Sequence, residues 1–341
     1  MSKINIWFDC DPGHDDAFTI LMMALHPRVN FLGISTEGGN QTVQKTTINA
    51  LKMLALCNLE NKIPVVQGQE HPLMIKNVIC PEIHGESGID GTALLDDLKI
   101  PLATNVSKET KEVVEPAIAF MARSIMSCEG KVTIVATARL TNVALLVTVY
   151  PKVLEKIERI SIMGGSIGMG NTGPSAEFNI EGDPHAAKIV FNLGKKSNIR
   201  PTIPIVLVPI EVSHTVLVTE SILDRLRESL QETTFCKVCI QLLLFFKKTY
   251  QEVFNFDSPP LHDPIAFFYL ISPQSFVTKK INIEIVCDSP LTSGETVCDY
   301  FGMTNREKNA TICEKIVVEE FWDEFIKQMV KVNSISPINK K

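Results

Sequence analysis

Several features that would assign a chain to a membrane or nucleic-acid class are missing from this sequence. No apolar run reaches the about 18 residues that a membrane-spanning helix needs, and the N-terminus shows no charged region followed by a long apolar core, so we expect no signal peptide. Basic excess is also absent, because the net charge is −6 and the pI is near 5.7. This charge argues against a partner with a phosphate backbone. We therefore expect a protein with a small-molecule ligand, without a membrane or nucleic-acid partner.

Cysteine-based and phosphate-binding motifs are also poorly represented. The nine cysteines are odd in number and scattered, which suggests reduced thiols and a cytoplasmic protein. The single CxxC, Cys236 to Cys239, has no second Cys/His pair at zinc-finger spacing. The glycine-rich segment 164–171 contains neither GxxxxGK[ST] nor a GxGxxG that leads into a helix. Zinc and nucleotide phosphate are therefore poor candidates, and the glycines would instead let the backbone approach a sugar.

The composition indicates one globular unit. The 341 residues are 45% hydrophobic and 21% charged, and no linker rich in proline, glycine or serine divides them. We predict a single domain over residues 1–332 and a polar, frayed C-terminal tail over residues 333–341.

Strand-like and helix-like segments alternate through most of the chain. This alternation predicts an α/β fold with an open, mostly parallel, doubly wound sheet and helices on both faces. Extra C-terminal strands and a final amphipathic helix should follow. The predicted strands cover residues 4–8, 31–35, 64–66, 132–136, 160–163, 205–208, 281–287, 296–301 and 312–318.

The most informative segment is an acidic turn directly after the first strand. Asp9 and Asp11 lie at the strand end, and Asp15 and Asp16 follow the Pro12-Gly13 turn at a helix start. A lone Asp-Asp there would only complement the helix dipole. Four carboxylates in a small volume repel one another unless a cation binds, and calcium accepts irregular, oxygen-rich sites. The segment therefore favours a calcium or catalytic site.

Further polar segments follow later elements. A loop at residues 84–88 has the glycine and polar content of a mobile lid. Glu177 and Asn179 alternate along a segment that we predict to be extended, so that both face one cleft. Phe246, Tyr250 and Phe254 form a helical stripe that is usually core but could stack on a base. His262-Asp263 precedes a proline that opens a helix.

The segment Asp9-Cys10-Asp11-Pro12-Gly13-His14-Asp15-Asp16-Ala17 resembles the N-terminal signature of the nucleoside N-ribohydrolases, the inosine-uridine preferring nucleoside hydrolase family. Thr137-Ala138-Arg139-Leu140-Thr141-Asn142 is similar to that family's Thr-Gly-x-Leu-Thr-Asn, with Ala138 in place of the commoner glycine. His262-Asp263-Pro264 matches a third element. The matches run from Asp9 to Asp263 in the family's order, about three quarters of the chain.

The resemblance implies a calcium-dependent enzyme that hydrolyses the N-glycosidic bond of purine or pyrimidine ribonucleosides, in nucleoside catabolism and salvage. Asp11 would deprotonate a calcium-bound water, and His262 would protonate the departing base. The implied calcium ligands are Asp11, Asp16, the backbone carbonyl of Thr137, and Asp263. The implied substrate contacts are Asp15, Asn40, His84, Met163, Asn171, Glu177, Asn179 and Tyr250. The family also implies a homodimer or homotetramer.

Two other functions remain open at this point. A metal-dependent phosphohydrolase could use an acidic strand end, but no Arg/Lys cluster for phosphate accompanies these motifs. A non-catalytic nucleoside-binding protein on the same fold is opposed by the four aspartates and by His262-Asp263. The preferred base is not determined, since it depends on the geometry near Tyr250 and Glu86.

Overall fold

The computed structural model describes residues 3–340, and a single nine-stranded sheet runs through it. The strands are β1 (Ile4–Cys10), β2 (Val29–Thr36), β3 (Val65–Gln67), β4 (Val132–Ala136), β5 (Ile157–Met163), β6 (Ile205–Val208), β7 (Phe276–Ile285), β8 (Thr296–Asp299) and β9 (Ala310–Ile316). Their spatial order is β3-β2-β1-β4-β5-β6-β9-β7-β8.

The first six strands are all parallel, and β9 is also parallel to β6. Strands β7 and β8 run antiparallel to their neighbours. The order reverses at β1, which lies between β2 and β4. In doubly wound sheets the crevice at this reversal is where ligands bind. The predicted fold class, including the added C-terminal strands, is confirmed.

Twelve α-helices cover the two faces of the sheet in the described residues. They are α1 (His14–Ala24), α2 (Val43–Leu56), α3 (Pro81–His84), α4 (Ala117–Ser127), α5 (Thr141–Val149), α6 (Phe178–Gly182), α7 (Pro184–Asn192), α8 (Ile210–Ser213), α9 (Glu220–Leu230), α10 (Thr234–Phe254), α11 (Pro264–Ile271) and α12 (Val318–Ile335). Within residues 3–340, none of these helices combines the length and apolarity that crossing a membrane requires.

Strand β1 shows why its sequence is apolar without strict alternation. Ile6 and Phe8 pack in the cluster formed with α1, α2 and α9 to α12, whereas Trp7 packs in the cluster with α4, α5 and α7. Successive side chains of a strand point to opposite faces. A central parallel strand buried on both faces therefore needs apolar residues at consecutive positions.

The predicted fraying of the tail is wrong for residues 333–340, and Lys341 lies outside the described residues. Helix α12 continues to Ile335, and a 3-10 turn follows at Pro337–Lys340. The side chain of Ile338 is buried, and Asn339 Oδ1 accepts a hydrogen bond from the Phe235 amide at 2.8 Å. That amide is one of the N–H groups in the first turn of α10 that lack a helical partner. The tail is ordered because it supplies this acceptor and an apolar side chain.

Candidate active site

A cleft opens at the carboxyl ends of the parallel strands, next to the reversal at β1. It has about 520 Å³ of empty space, part of it open to solvent. Of the residues predicted from the sequence for this site, all except Asp11 and Asp16 line the cleft. The lining ones are Asp15, Asn40, His84, Thr137, Met163, Asn171, Glu177, Asn179, Tyr250, His262 and Asp263. Asp11 and Asp16 lie beneath this lining and are fully buried.

Buried carboxylates form the floor of the cleft. One oxygen from each of Asp15, Asp16 and Asp263 lies within 4.8 Å of the others. Burial and the charge of Asp15 raise the pKa of Asp16 to about 8, and burial raises the pKa of Asp15 to about 6. Asp11 Oδ1 and Asp15 Oδ1 are buried without a hydrogen-bond partner in the described residues. Closely spaced carboxylate oxygens, some without partners, fit a hard divalent cation such as calcium.

Asp11 is fixed on one side by the turn after β2. The Asn40 amide donates to Asp11 Oδ2 at 2.7 Å, and Asn40 Nδ2 donates to the Asp11 carbonyl at 3.1 Å. Asn40 Nδ2 also lies 3.3 Å from Asp16 Oδ2. A Cβ at Gly39 would lie 2.0 Å from Asp11 Oδ2, so only glycine permits this approach. Gly39 therefore allows Asn40 to reach the acidic turn.

Thr137, directly after β4, joins the acidic floor to the opposite wall. Its hydroxyl donates to Asp16 Oδ1 at 2.6 Å. Its carbonyl, the predicted calcium ligand, accepts a hydrogen bond from Asn179 Nδ2 at 2.9 Å. A backbone carbonyl has two lone pairs, so this bond leaves one of them for a further partner.

The prediction of an extended segment through Glu177 and Asn179 is wrong, although both residues line the cleft. Glu177 is the N-cap of α6, and its carboxylate accepts from the Asn179 and Ile180 amides. It also accepts from the Gly165 amide at 2.7 Å. The helix forms because the Glu177 carboxylate satisfies N–H groups of its first turn. Burial raises the pKa of Glu177 to about 7.

His262 and Tyr250 form a buried pair on the aromatic side of the cleft. The Tyr250 hydroxyl lies 2.8 Å from His262 Nε2, and the Ser213 hydroxyl lies 2.6 Å from His262 Nδ1. Burial lowers the pKa of His262 well below its ordinary value, so the ring is neutral near pH 7. Phe246 and Phe254 line the same side. The stripe predicted on α10 thus has its far end in the cleft.

The loop that the sequence predicts to be a lid packs against the acidic turn. His84, at the end of α3, accepts a hydrogen bond on Nδ1 from the His14 amide at 3.2 Å. Its ring stacks on His14 and on Phe246, with centroids 5.5 Å apart in each case. His14 Nε2 lies 2.8 Å from the Asp90 carbonyl. His14, in the acidic turn, therefore contacts this loop at two places, His84 and Asp90.

Sequence reasoning missed several residues around the site. Asn142 Nδ2 donates to Asp9 Oδ1 at 2.9 Å, and Glu37 accepts from the Asn142 amide beside it. Cys80 and Ile83 line the cleft. Arg139 is 1% exposed. An arginine between two residues of a strand-end motif was the available signal for it, whereas Cys80 and Ile83 gave none because their loop lacks periodicity.

Arg139 contributes the positive charge near the buried acids. Burial raises the pKa values of Asp11 and Glu37 well above the ordinary range, and attraction to the Arg139 guanidinium opposes that rise. Its Nη1 and Nη2 donate to Asn77 Oδ1 and to the Val78 carbonyl, respectively. The guanidinium therefore acts on the acidic floor through space and on the neighbouring loop by contact.

Comparisons with known proteins agree with this geometry. Residues 6–323 match the family model described as inosine-uridine preferring nucleoside hydrolase. A probable ribonucleoside hydrolase of Dictyostelium discoideum is 43% identical over 330 residues, 93% of this chain and 92% of that protein. The pyrimidine-specific ribonucleoside hydrolase RihA of Citrobacter koseri is 37% identical over 319 residues, 93% of this chain and 95% of that protein.

Solved structures of nucleoside hydrolases are also similar to this chain. A purine-preferring ribonucleoside hydrolase from Gardnerella vaginalis has a TM-score of 0.81 at 25% identity, covering 97% of this chain and 100% of that one. A plant nucleoside hydrolase, the PpNRh1 enzyme, has a TM-score of 0.82 at 25% identity, covering 96% of this chain and 99% of that one. The chain therefore belongs to the inosine-uridine preferring nucleoside hydrolase family.

Proposed function

We propose that this chain hydrolyses the N-glycosidic bond of ribonucleosides to ribose and free base, with Asp11 as general base and His262 as general acid. Family membership supports the reaction. One observation carries the placement of the site. The cleft at the strand ends has buried carboxylates on its floor and the His262–Tyr250 pair on its aromatic side. A ribonucleoside has two parts that would fit these two regions: a polyhydroxyl sugar for the carboxylate floor and a flat base for the aromatic side.

The chemistry of the floor supports a calcium site. Asp11, Asp16, Asp263 and the Thr137 carbonyl would hold the ion, as the resemblance implies. The carboxylate oxygens that lie within 4.8 Å of one another belong to Asp15, Asp16 and Asp263. Asp11 is not in this group, and the resemblance assigns Asp15 to a ribose hydroxyl. Bound calcium would offset the carboxylate charges and make a nearby water more acidic.

Asp11 has the free oxygen that a general base requires. Its Oδ2 is engaged by the Asn40 amide, whereas its Oδ1 has no partner among the described residues. The engaged oxygen fixes the orientation of the carboxylate, and the free oxygen can take a proton from water. That water would attack C1′ of the ribose as the base departs.

The polar wall of the cleft suits the ribose. Asp15, Asn40, Asn171, Glu177 and Asn179 all line it, and they supply carboxylate and amide groups for the hydroxyls, with Met163 beside them. Hydrogen bonds to hydroxyls that strengthen in an oxocarbenium-like transition state lower the barrier to glycosidic cleavage. These residues would therefore both hold the sugar and favour its distortion.

The aromatic wall suits the departing base. Phe246 and Tyr250 can stack on a flat ring, and His84 lies at the same wall under the lid. Burial lowers the pKa of His262 and keeps its ring neutral in the free protein, so the general-acid role requires the ring to be protonated in the substrate complex. His262 would then donate a proton to the base nitrogen as the bond breaks, with the Tyr250 hydroxyl orienting the ring.

We further propose a cytoplasmic homodimer or homotetramer. The nine cysteines all lie in the described residues and are all free, which suits a reducing compartment. The family resemblance supports the oligomer. Light scattering coupled to size-exclusion chromatography would give the mass directly, and a monomer of 37.9 kDa would contradict this part of the proposal.

Calcium and nucleoside titrations by calorimetry test the site apart from turnover. We expect calcium to bind the wild-type protein and to bind Asp16→Asn at least ten-fold more weakly, with Asp299→Asn on the far edge strand as a matched control. Unchanged affinity in Asp16→Asn would contradict the calcium site. Inosine or uridine that binds without turnover would instead indicate the non-catalytic nucleoside-binding function.

A further inference from the structure

We infer that Arg139 is a positioning residue that ties the base-side wall of the cleft to the end of β4. This inference rests on the proposed function, since the base-side wall is defined by it. Arg139 touches none of the proposed reacting groups by hydrogen bond. It would act through residues 77–80, the part of the β3–α3 loop that leads into the cleft.

The contacts of the guanidinium point to this loop. Nη1 donates to Asn77 Oδ1 at 2.5 Å, and Nη2 donates to the Val78 carbonyl. Two residues later the chain reaches Cys80, which lines the cleft and whose amide donates to the Asn40 carbonyl. Helix α3 follows directly and brings Ile83 to the same wall. The side chain of Arg139 therefore fixes the start of the segment that forms the wall.

The stem of Arg139 packs against the ribose side. A Cβ at Gly182 would lie 2.7 Å from Arg139 Cγ and 2.8 Å from its Nε. Gly182 ends α6, whose first turn carries Asn179 and whose N-cap is Glu177. Arg139 thus lies between α6 and the loop, and each of these two elements also carries residues that line the cleft.

The choice of arginine at position 139 also supports a role in holding the loop. Among residues 3–340, Arg139 is the one buried arginine or lysine. Its two bonded donors reach neutral acceptors of the loop, although the buried acids lie close enough to attract its charge. A guanidinium presents donors in a rigid fork, which an ammonium does not reproduce. A lysine here would keep the charge but lose the paired contact with the loop.

Four variants separate this role from general packing. Arg139→Lys keeps the charge and loses the fork, and Asn77→Ala removes one acceptor from a half-buried loop residue. The double variant tests whether the two act through one contact. Arg200→Lys is the matched control, because Arg200 also donates to two backbone carbonyls, those of Asn192 and Leu193 at the C-terminal end of α7, outside the cleft.

Two measurements are made on the calcium-loaded protein. The first is KM and kcat for uridine and inosine, and the second is the rate of tryptic cleavage after Lys76, an exposed residue of the same loop. We expect Arg139→Lys to raise KM and the cleavage rate about 10-fold each, the size of one lost charged hydrogen bond, with a smaller change in kcat. Asn77→Ala should change both in the same direction, and the double variant should be no worse than Arg139→Lys.

KM and cleavage rate within two-fold of wild type in both single variants would overturn the inference. Effects that multiply in the double variant would also overturn it, because they would show independent actions. If Arg139→Lys does not fold, KM and the rate of tryptic cleavage of Asn77→Ala alone test the inference. If the wild type releases no ribose at all, the proposed function fails, while the cleavage rates still decide whether Arg139 holds the loop.

Discussion

Individual side chains in the cleft differ in how fully the protein satisfies their hydrogen bonds. Glu177 accepts from three backbone amides, whereas Asp11 Oδ1 and Asp15 Oδ1 have no protein partner in the described chain. Buried polar groups are nearly always paired, so unpaired ones call for an explanation. Satisfied groups such as Glu177 set the geometry, and the unsatisfied oxygens remain for an ion, water or substrate.

Glu177→Gln should make stability less dependent on pH. Burial raises the folded-state pKa of Glu177 to about 7 from an ordinary value of 4.5, so its contribution is fully present below pH 4.5 and is lost as the pH rises through 7. At pH 8 we expect the variant to be more stable than wild type by about 3 kcal/mol, with no such gain at pH 4. Urea unfolding at both pH values measures this. An equal difference at both would contradict it.

His262→Ala should lower kcat about 10²–10⁴-fold, the usual contribution of a positioned general acid, with little change in KM. A p-nitrophenyl riboside is the control substrate, because its leaving group departs without a proton. The variant should hydrolyse this riboside at nearly the wild-type rate. Equal losses on the nucleoside and on the riboside would contradict the acid role of His262.

At the scale of single elements, the sequence predicted most strands and helices but not every local conformation. The sequence places the acidic turn correctly at the end of β1, because an apolar run followed by Pro-Gly marks a strand end, although β1 itself extends through Asp9 to Cys10. The segment at Glu177 was predicted wrongly, since alternation of polar residues resembles a strand. Its helix depends partly on the amide of Gly165, a contact across twelve residues of irregular loop that no local pattern shows.

The C-terminal segment gives a direct test at this scale. A chain that ends at Val332 loses the buried Ile338 and the Asn339 acceptor for the Phe235 amide. Burial of an isoleucine contributes about 1.5–3 kcal/mol, and a hydrogen bond about 1 kcal/mol. We therefore expect the free energy of unfolding, measured with urea, to fall by about 2.5–4 kcal/mol. A chain that lacks only the last two lysines is the control, and equal stability of both would contradict the observed packing.

At the scale of the whole molecule, the fold explains why distant motifs share one site. Thr137 and Asp16 are 121 residues apart along the chain and are joined by a hydrogen bond. Parallel strands place all their carboxyl ends at one edge of the sheet, so the sequence could predict that the motifs converge. It could not predict Arg139, because the role of a buried arginine depends on the path of a loop some sixty residues earlier in the chain.

Release of free ribose tests the central claim most directly. Uridine, inosine, cytidine, adenosine and nicotinamide riboside would each be incubated with the wild-type protein and with Asp11→Ala, in calcium and in EDTA. We expect ribose from at least one nucleoside, with release lost in EDTA, restored by added calcium, and lost in Asp11→Ala under all conditions. If folded, calcium-bound wild-type protein released no ribose from any of them, the hydrolase account would be contradicted and a nucleoside-binding role would replace it.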